Sequence, residues 1–427
     1  MKTETVVENG FKETEIRLIP EDWKTVKLGD VAEISSGGSA PQGDNYFNGK
    51  NPFIRVQHID REGDKVIKWD LITDDAVKKY KLKIYPKGTI VFPKSGASIY
   101  LEKRAMLPID TYIVSHLCAV ISNDKNVNQK FLFYELRNIE LSKDKADGYP
   151  TLNLSEVKNV KVIIPSLSEQ QKIAFVLSKI QQAIEQQDRI IETTRELKKS
   201  LMNKLLTEGL HGEEQKETEI GLMPKSWKSE SISNVVENTK QIDPRKTPNL
   251  SFKYIDVSGI SNEFYKIIEY RTYNGSKAPS RARKLIQTND VIFATVRPTL
   301  KRIAYVDEDY DGKVCSTAFC VLRSKKNVLS SRYLYYCVQN DEYIEELAKL
   351  QRGASYPAVT DGDIKRQQIP LPKVEEQKEI ANILLNVDKK LSQVESKKQT
   401  LQSLFRTMLN QLMTGKIRVK DFDFEVN

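Results

Sequence analysis

The sequence predicts a mixed α/β (α+β) fold with two lobes, joined by two long antiparallel coiled-coil helices and related by a pseudo-two-fold axis. Three observations predict it: the chain repeats itself, each half contains short β-branched and aromatic runs, and each half ends in an apolar seam of helical period. With 427 residues, of which 39% are hydrophobic, the chain is large enough for two domains with a packed core in each.

The repeat is visible in segments that frame the two halves. KETEIRLIPEDW begins at Lys12 and KETEIGLMPKSW begins at Lys216, a shift of 204 residues. A second match runs without gaps at a shift of 207 and includes Tyr149/Tyr356, Pro150/Pro357, Glu169/Glu376 and Asn203/Asn410.

Between these frames lie two interior segments, about 35–148 and 239–355, which have nearly the same length but almost no common pattern. A frame that is kept around different interiors indicates a scaffold whose recognised target changes. Simple drift of the interiors after a duplication remains the alternative. The Tyr-Pro pairs that open the second match are interpreted as turns.

Short strands are predicted in each interior segment from β-branched and aromatic runs bounded by Gly, Pro, Asp or Asn. These runs are 89–94, 111–121, 291–296 and 316–323, and Ser115 and His116 interrupt the second of them. Short helices are predicted at 129–140 and 331–349 from apolar residues at helical spacing.

A long helix follows each interior segment. Ser166 stands three residues before Glu169, which is the spacing of a capping box. In the second copy, apolar residues from Ile380 to Leu412 alternate at spacings of four and three, which is the pattern of a coiled-coil seam. The predicted segments are a first lobe at 1–165 with a tail at about 1–15, a first helix at 166–210, a second lobe at 211–372, and a second helix with a tail at 373–427.

The connection between the helices predicts their direction. A helix over 169–206 is about 57 Å long, whereas residues 207–217 can span at most about 35 Å. The second lobe must therefore begin near the far end of the first helix, and the second helix must run back antiparallel to pair with it.

The charge permits a polyanionic partner. Lys and Arg number 67 against 58 Asp and Glu, which gives a net charge of +9. Residues 78–104 contain eight basic residues and one acid, and residues 277–302 contain seven and one. Such clusters could neutralise DNA phosphates, although a solvated charged face is the simpler interpretation of either cluster alone.

Candidate DNA-binding residues come from these clusters and from adjacent loops. Residues 94–98 follow a predicted strand and are small and polar, and the forked guanidiniums of the second lobe suit guanine or phosphate. For each residue a structural role remains open. The candidates are Gln57, His58, Lys94, Ser95, Ser98, Lys103, Arg104, Ser280, Arg281, Arg283, Thr295, Arg297, Lys301 and Arg302.

No catalytic or metal-binding residues are predicted. The sequence contains no NPPY-like box and no strand-linked GxG loop, and Gly43 to Lys50 is too long for a phosphate loop. Four cysteines and three histidines are too few for a disulfide framework or a zinc enzyme. Without a membrane-length apolar run or a signal peptide, a cytoplasmic protein is expected.

The framing segments resemble those of the specificity subunits of type I restriction-modification systems over nearly the whole chain. The segments that carry the resemblance are IPEDWKTVKLGDV (19–31), IPSLSEQQKIAFVL (164–177), LMNKLLTEG (201–209), MPKSWKSESISNV (223–235), IPLPKVEEQKEIANIL (369–384) and MLNQLMTGKIRV (408–419).

This resemblance implies a non-catalytic subunit in which each lobe is a target recognition domain for one half of a bipartite site in double-stranded DNA. The helix pair would set the spacer. Two methyltransferase subunits would dock and use S-adenosylmethionine for adenine-N6 methylation, and two restriction subunits would add ATP- and Mg-dependent cleavage, so this chain would bind no cofactor. Candidate contacts to the methyltransferases are Glu169, Asn203, Glu376 and Asn410.

Two alternatives stay open. The chain could be the recognition subunit of a type II-like system whose partner fuses methyltransferase and nuclease. It could also be a structural adaptor that binds no DNA and uses the helix pair as a protein-binding surface.

Overall fold

The computed structural model describes residues 6–7, 10–60, 64–143 and 150–420. Its contacts form two compact units, Met1–Gln187 with Lys397–Asn427 and Asp188–Ser396. Each unit thus contains parts of both long helices, so the units cross the segment boundaries predicted from the repeat. Tyr149 of the second match and the ends of both predicted tails lie outside the described residues.

Two of the helices are much longer than the rest, and they are the two that the seam predicts. The helices are α1 Leu28–Val31, α2 Asp74–Lys79, α3 Gln129–Arg137, α4 Leu154–Asn159, α5 Leu167–Thr207, α6 Ile232–Val235, α7 Ser331–Cys337, α8 Asp341–Lys349, α9 Asp361–Arg366 and α10 Val374–Met413.

The first unit contains two four-stranded sheets, ordered β10-β9-β12-β5 and β7-β6-β11-β8, with the smaller sheets β1-β2-β3 and β13-β4. Strand β2 lies within the predicted tail. The strands are β1 Val6–Val7, β2 Phe11–Glu13, β3 Leu18–Pro20, β4 Lys24–Lys27, β5 Ala32–Ser36, β6 Phe47–Ile54, β7 Asp70–Ile72, β8 Ile84–Tyr85, β9 Ile90–Pro93, β10 Ala105–Met106, β11 Thr111–Ile113, β12 Leu117–Ser122 and β13 Lys161–Ile164.

The second unit repeats this arrangement, with sheets β24-β23-β26-β17 and β21-β18-β25-β22 and the pairs β14-β15, β16-β27 and β19-β20. Its strands are β14 Gln215–Thr218, β15 Gly221–Pro224, β16 Lys228–Ser231, β17 Val236–Glu237, β18 Ser251–Ile255, β19 Ile260–Ser261, β20 Lys266–Ile267, β21 Arg271–Asn274, β22 Ala282–Leu285, β23 Val291–Ala294, β24 Ile303–Tyr305, β25 Val314–Ser316, β26 Phe319–Ser324 and β27 Gln368–Leu371.

The two interior segments therefore share one topology although they share almost no sequence pattern. In each unit the second large sheet contains one parallel pair, β6 with β11 and β18 with β25, while its other neighbours are antiparallel. The mixed α/β fold class predicted from the sequence is confirmed, and the two interior segments have one common strand topology.

Some predicted elements are split in two. The run 111–121 forms β11 and β12 with a break at 114–116, and the run 316–323 is divided between β25 and β26. The predicted helix 331–349 is interrupted at 338–340, where α7 ends and α8 begins. Each break places a turn at the end of a buried strand or helix.

Both units use the long helices as part of their cores. In the first unit, Trp23 and Phe131 pack in one cluster with Leu177 of α5 and with Phe405 and Leu412 of α10. The first half of α5 therefore lies beside the second half of α10, which is an antiparallel pairing. In the second unit the second half of α5 lies beside the first half of α10.

The second core contains Trp227 and Tyr333 together with Leu205 from the end of α5 and Leu384 from the start of α10. A further seam cluster joins Ile191 of α5 to Leu391 and Val394 of α10. Since these apolar positions are the ones that the alternating pattern marks, the packing of α5 with α10 agrees with the predicted seam.

A glycine follows each long helix and contacts the tryptophan of a framing segment. Gly209 (φ +68°) and Gly415 (φ +70°) both adopt the left-handed conformation that ends many helices. A Cβ atom on Gly415 would lie 2.3 Å from Cγ of Pro20 and 3.3 Å from the Trp23 ring. This close approach requires a residue without a side chain.

We predict that Gly415→Ala lowers the free energy of unfolding by about 3 kcal/mol, because the methyl group adds a clash with the Pro20 ring to the cost of a left-handed alanine. Gly212→Ala is the matched control, since Gly212 also has positive φ (+60°) but a Cβ there meets no atom within 4 Å. It should cost only about 1 kcal/mol. Urea denaturation measures both, and equal losses would contradict the packing.

Candidate nucleic-acid interface

Three loops meet at one edge of the first lobe. The backbone N–H of Lys94, just after β9, donates to the His116 carbonyl at 2.9 Å. The N–H of Leu152 donates to the Lys94 carbonyl at 2.8 Å, and that of Gly96 donates to the Pro150 carbonyl at 2.9 Å. We call residues 94–98, 115–116 and 150–151 the first loop surface.

The second lobe forms the same junction with different residues. Thr295, just after β23, donates its N–H to the Ala318 carbonyl at 2.8 Å, and Val359 donates to the Thr295 carbonyl at 2.9 Å. The N–H of Arg297 donates to the Pro357 carbonyl at 2.7 Å. Residues 280–281, 295–298, 317–318 and 355–358 form the second loop surface.

The predicted residues Ser280 and Arg281 belong to this surface because the N–H of Thr317 donates to the Arg281 carbonyl at 2.8 Å. The structure therefore brings together two motifs, APSRAR and ATVRP, that ten residues separate in the sequence. Arg281 and Arg297 are both exposed there.

The first loop surface presents hydroxyl and imidazole groups. Oγ of Ser95 lies 2.5 Å from Nδ1 of His116, and Oγ of Ser98 donates to the Ser95 carbonyl at 3.2 Å. Lys94, Ser95 and Ser98 are all half-buried, so their polar atoms remain partly accessible. These groups can donate to and accept from base edges or phosphates.

Several other predicted residues are engaged within the first lobe. Arg104 is only 3% exposed, and its guanidinium bonds the Glu102 carboxylate and stacks on Phe92 with the centroid at 4.9 Å. Lys103 donates through Nζ to the Ile59 carbonyl at 3.0 Å and to that of Asp60. These two cations were counted in the basic cluster 78–104, but both are engaged by groups within the first lobe.

Gln57 and His58 occupy one turn with opposite exposure. Gln57 is exposed, whereas His58 is 2% exposed and its Nδ1 accepts from the Arg55 backbone N–H at 3.1 Å. Burial lowers the pKa of His58, although Asp70, 3.6 Å from its Nε2, acts in the opposite direction. His58 is therefore held as a neutral packing residue of this turn.

The second lobe shows the same division of its cations. Arg302 donates from Nη1 to the carbonyls of Val257 (2.9 Å) and Ile260 (2.8 Å), and Lys301 pairs with Asp341. Arg283 lies 3.5 Å from Asp243, while the buried Thr295 hydroxyl donates to the Ala318 carbonyl at 3.0 Å. Of the predicted cations in this lobe, Arg281 and Arg297 are the exposed ones.

The predicted partner contacts also divide into buried and exposed residues. Glu169 is 1% exposed, and its Oε2 accepts from Nε1 of Trp23 at 3.0 Å. Oε2 of Glu376 accepts from Nε1 of Trp227 at the same distance. The repeated glutamate therefore ties the start of each long helix to a framing segment.

The adjacent glutamine completes this attachment. Oε1 of Gln170 accepts from the Asn128 N–H at 2.8 Å, and Oε1 of Gln377 accepts from the Ser330 N–H at 2.7 Å. Each Nε2 donates at 2.9 Å to the carbonyl of the proline five residues earlier. We call Glu169 with Gln170, and Glu376 with Gln377, the helix-start clamps.

Only half of the predicted capping box forms, because Glu169 is used in the clamp. Its N–H donates to Oγ of Ser166 at 3.3 Å, but its carboxylate accepts from Trp23 and from Arg418, whose Nε and Nη2 lie at 2.8 and 2.9 Å. Arg418 also donates to Asp22 at 2.7 Å and holds the pKa of that carboxyl below its usual value.

Asn203 and Asn410, by contrast, are exposed near the ends of α5 and α10. The repeat in the sequence could not distinguish them from the clamp glutamates, since both kinds of residue recur at the same shift. Tyr356 was interpreted only as part of a turn, yet it stands on the second loop surface with 72% of its side chain exposed. The available signal was its recurrence, since Tyr356 matches Tyr149 at the shift of 207.

Within the described part of the chain, no group of three or more His, Cys, Asp or Glu side chains is arranged to hold a metal ion. Among the same residues, no helix has the length and apolar character needed to cross a membrane.

Comparison with known proteins identifies the repeated architecture. Residues 20–194 and 224–403 each match the family described as the type I restriction modification DNA specificity domain. The MjaVIII type I restriction enzyme specificity subunit of Methanocaldococcus jannaschii is 26% identical, and the alignment covers 98% of each chain. The EcoDI specificity subunit of Escherichia coli is 21% identical over 85% of this chain and 80% of its own.

Solved structures share the fold. The S subunit of a type I restriction-modification system from M. genitalium superposes with a TM-score of 0.59 at 15% identity, covering 91% of this chain and 96% of its own. A chain from a study of complex assembly and conformational transition of the type I R-M system gives a TM-score of 0.55 at 18% identity, covering 93% and 99%.

We predict that Glu169→Gln lowers the free energy of unfolding by about 2–3 kcal/mol, since an amide cannot accept from Trp23 and neutralise Arg418 together. The control Glu21→Gln removes an exposed carboxylate of the same framing segment and should change stability by less than about 0.5 kcal/mol. Chemical denaturation followed by tryptophan fluorescence measures both. A stable Glu169→Gln variant that fails to bind a partner would instead make Glu169 a contact residue.

Proposed function

The chain belongs to the family of type I restriction-modification specificity subunits, and we propose that its two lobes each read one half of a bipartite site in double-stranded DNA. The observation that carries this proposal is the pair of loop surfaces. They occupy the same topological position in the two lobes, yet they present different side chains.

Different side chains at matched positions suit two different half-sites. The first loop surface offers Ser95 and His116, whereas the second offers Arg281 and Arg297. Hydroxyl and imidazole groups accept and donate, while guanidiniums only donate and favour guanine or phosphate. The recognised sequence is therefore proposed to be asymmetric.

We assign catalysis to other subunits. Two methyltransferase subunits using S-adenosylmethionine, and two restriction subunits using ATP and Mg, are the proposed partners. The docking sites are proposed to include Asn203 and Asn410, because these two residues are repeated, exposed and not used by the clamps. Glu169 and Glu376 would support docking only indirectly, by fixing the helices that present these asparagines.

The antiparallel helices are proposed to set the separation of the two half-sites. Packed seam residues such as Ile191, Leu391 and Val394 resist sliding, because a shift of register would expose them to water. A fixed separation is what a bipartite DNA site requires.

Deleting the gene is expected to remove N6-methyladenine from one bipartite motif that is methylated on both strands in the wild-type strain. Long-read methylome sequencing of the two strains, and of the deletion strain carrying the gene on a plasmid, measures this directly. Restored methylation in the complemented strain is the control. A methylome that is identical in all three strains would refute the proposed reading of DNA for a methyltransferase.

The docking proposal predicts a stepwise loss of subunits. Asn203→Arg should leave one methyltransferase subunit per chain, and the double variant with Asn410→Arg should leave none, because each bulky cation disrupts one of two equivalent contacts. Native mass spectrometry of the purified complex counts the subunits. Asn249→Arg, at an exposed asparagine outside the framing segments, is the control and should keep both. Full occupancy in the double variant would place docking elsewhere.

A further inference from the structure

The second loop surface contains a residue in an unusual backbone conformation. Arg297 has φ 49° and ψ 58°, which is the left-handed region that residues with a side chain rarely adopt. At the matched position of the first lobe stands Gly96, with φ 78°, and both N–H groups donate to the proline of a Tyr-Pro pair. Both positions therefore have positive φ, but their ψ angles differ, since Gly96 has ψ 178° in a region that is essentially restricted to glycine.

An arginine at positive φ has a strained backbone, whereas Gly96 forms the matching junction of the first lobe at positive φ without that strain. Residues held in this way cluster at functional sites.

The Arg297 side chain is held but not neutralised. Its guanidinium carbon lies 5.0 Å from the ring centroid of Tyr356, and Nη2 donates to the Ser355 carbonyl at 3.3 Å. No carboxylate of the described residues pairs with it, whereas Arg283 and Arg323 of the same lobe are paired with Asp243 and Asp290.

Tyr356 lies beside this arginine on the second loop surface. Its side chain is 72% exposed, so the ring is not part of a core. A guanidinium stacked on an aromatic face keeps its plane fixed while the N–H groups along its edge stay free. With one Nη2 N–H on the Ser355 carbonyl, the guanidinium of Arg297 keeps further N–H donors that match two acceptors side by side in one plane.

We propose that Arg297 donates two hydrogen bonds to O6 and N7 of one guanine in the half-site of the second lobe, with Tyr356 as its positioning residue. This inference rests on the proposed function, because it names a base contact for the same loop surface. Guanine in the major groove presents these two acceptors together. Arg281, exposed on the same surface, contacts the flanking phosphate backbone.

The experiment is methylome sequencing of cells that express the cognate methyltransferase subunits with each variant of this chain. Arg297→Ala should remove the requirement for guanine at one position of the second half-site, so that any base is accepted there. The first half-site should stay unchanged. Tyr356→Ala should partly weaken the requirement for guanine at the same position. Tyr356→Phe, which keeps the ring, should keep the wild-type motif. Arg245→Ala, at an exposed arginine off this surface, is the control and should leave the motif unchanged.

Each result has a distinct meaning. An unchanged motif with weaker methylation in Arg297→Ala would overturn the guanine contact and make Arg297 a phosphate ligand, with the proposed function intact. Absence of bipartite methylation by the wild-type chain, with its methyltransferase subunits present, would refute the proposed function and the guanine contact together.

If the Arg297→Ala complex yields no methylation, the guanine contact is tested on the wild-type complex alone. Its affinity is measured for duplexes of the wild-type motif in which one guanine at a time is replaced by 7-deazaguanine, which lacks the N7 acceptor. Loss of affinity by about 10-fold at one guanine of the second half-site supports the contact. Equal affinity for all the duplexes would overturn it.

Discussion

Each lobe depends on the hydrogen bond between a buried tryptophan and the glutamate at the start of a long helix. The indole N–H of Trp23 is removed from water and needs an acceptor, and Glu169 supplies it. Because Arg418, which follows α10, binds the same carboxylate, the start of one long helix and the segment after the other are joined at one point. Both long helices are therefore integral to the lobes, since each unit contains part of the long helix that follows the other interior segment.

This constraint explains why the frame recurs while other positions differ. In the first unit Arg17 donates to Glu135 at 2.9 Å, and burial raises the pKa of that carboxyl although Arg17 opposes the shift. In the second unit Gly221 replaces Arg17 at the shift of 204, and Cys337 replaces Glu135, since each stands seven residues after the N-cap of its helix, Ser330 and Asn128, so no such pair forms. A buried ion pair can be exchanged for neutral residues when both partners change together. The tryptophan and its glutamate remain in both halves because the attachment of the helix depends on them.

The sequence predicted the long helices well because an alternating apolar seam is a local pattern. It could not predict the common topology of the interior segments, since strand order depends on pairings between distant residues such as those of β6 and β11. For the same reason it placed Arg104 and Arg302 among DNA-binding candidates. Their charge is visible in the sequence, but the groups that engage them within the lobe, among them the Ile139 and Val257 carbonyls, are distant along the chain. Exposure, not charge alone, separates Arg297 from these residues.

The central claim is that the interior segments determine what is read while the frame only holds them. A chimera in which residues 35–148 replace residues 239–355 tests it most directly, because both lobes would then contain the same loop surface. We expect methylome sequencing to show a symmetric bipartite motif whose two halves both equal the first half-site of the wild-type motif. A chimera that still methylates the second half-site of the wild type would contradict the claim, because recognition would then reside in the frame.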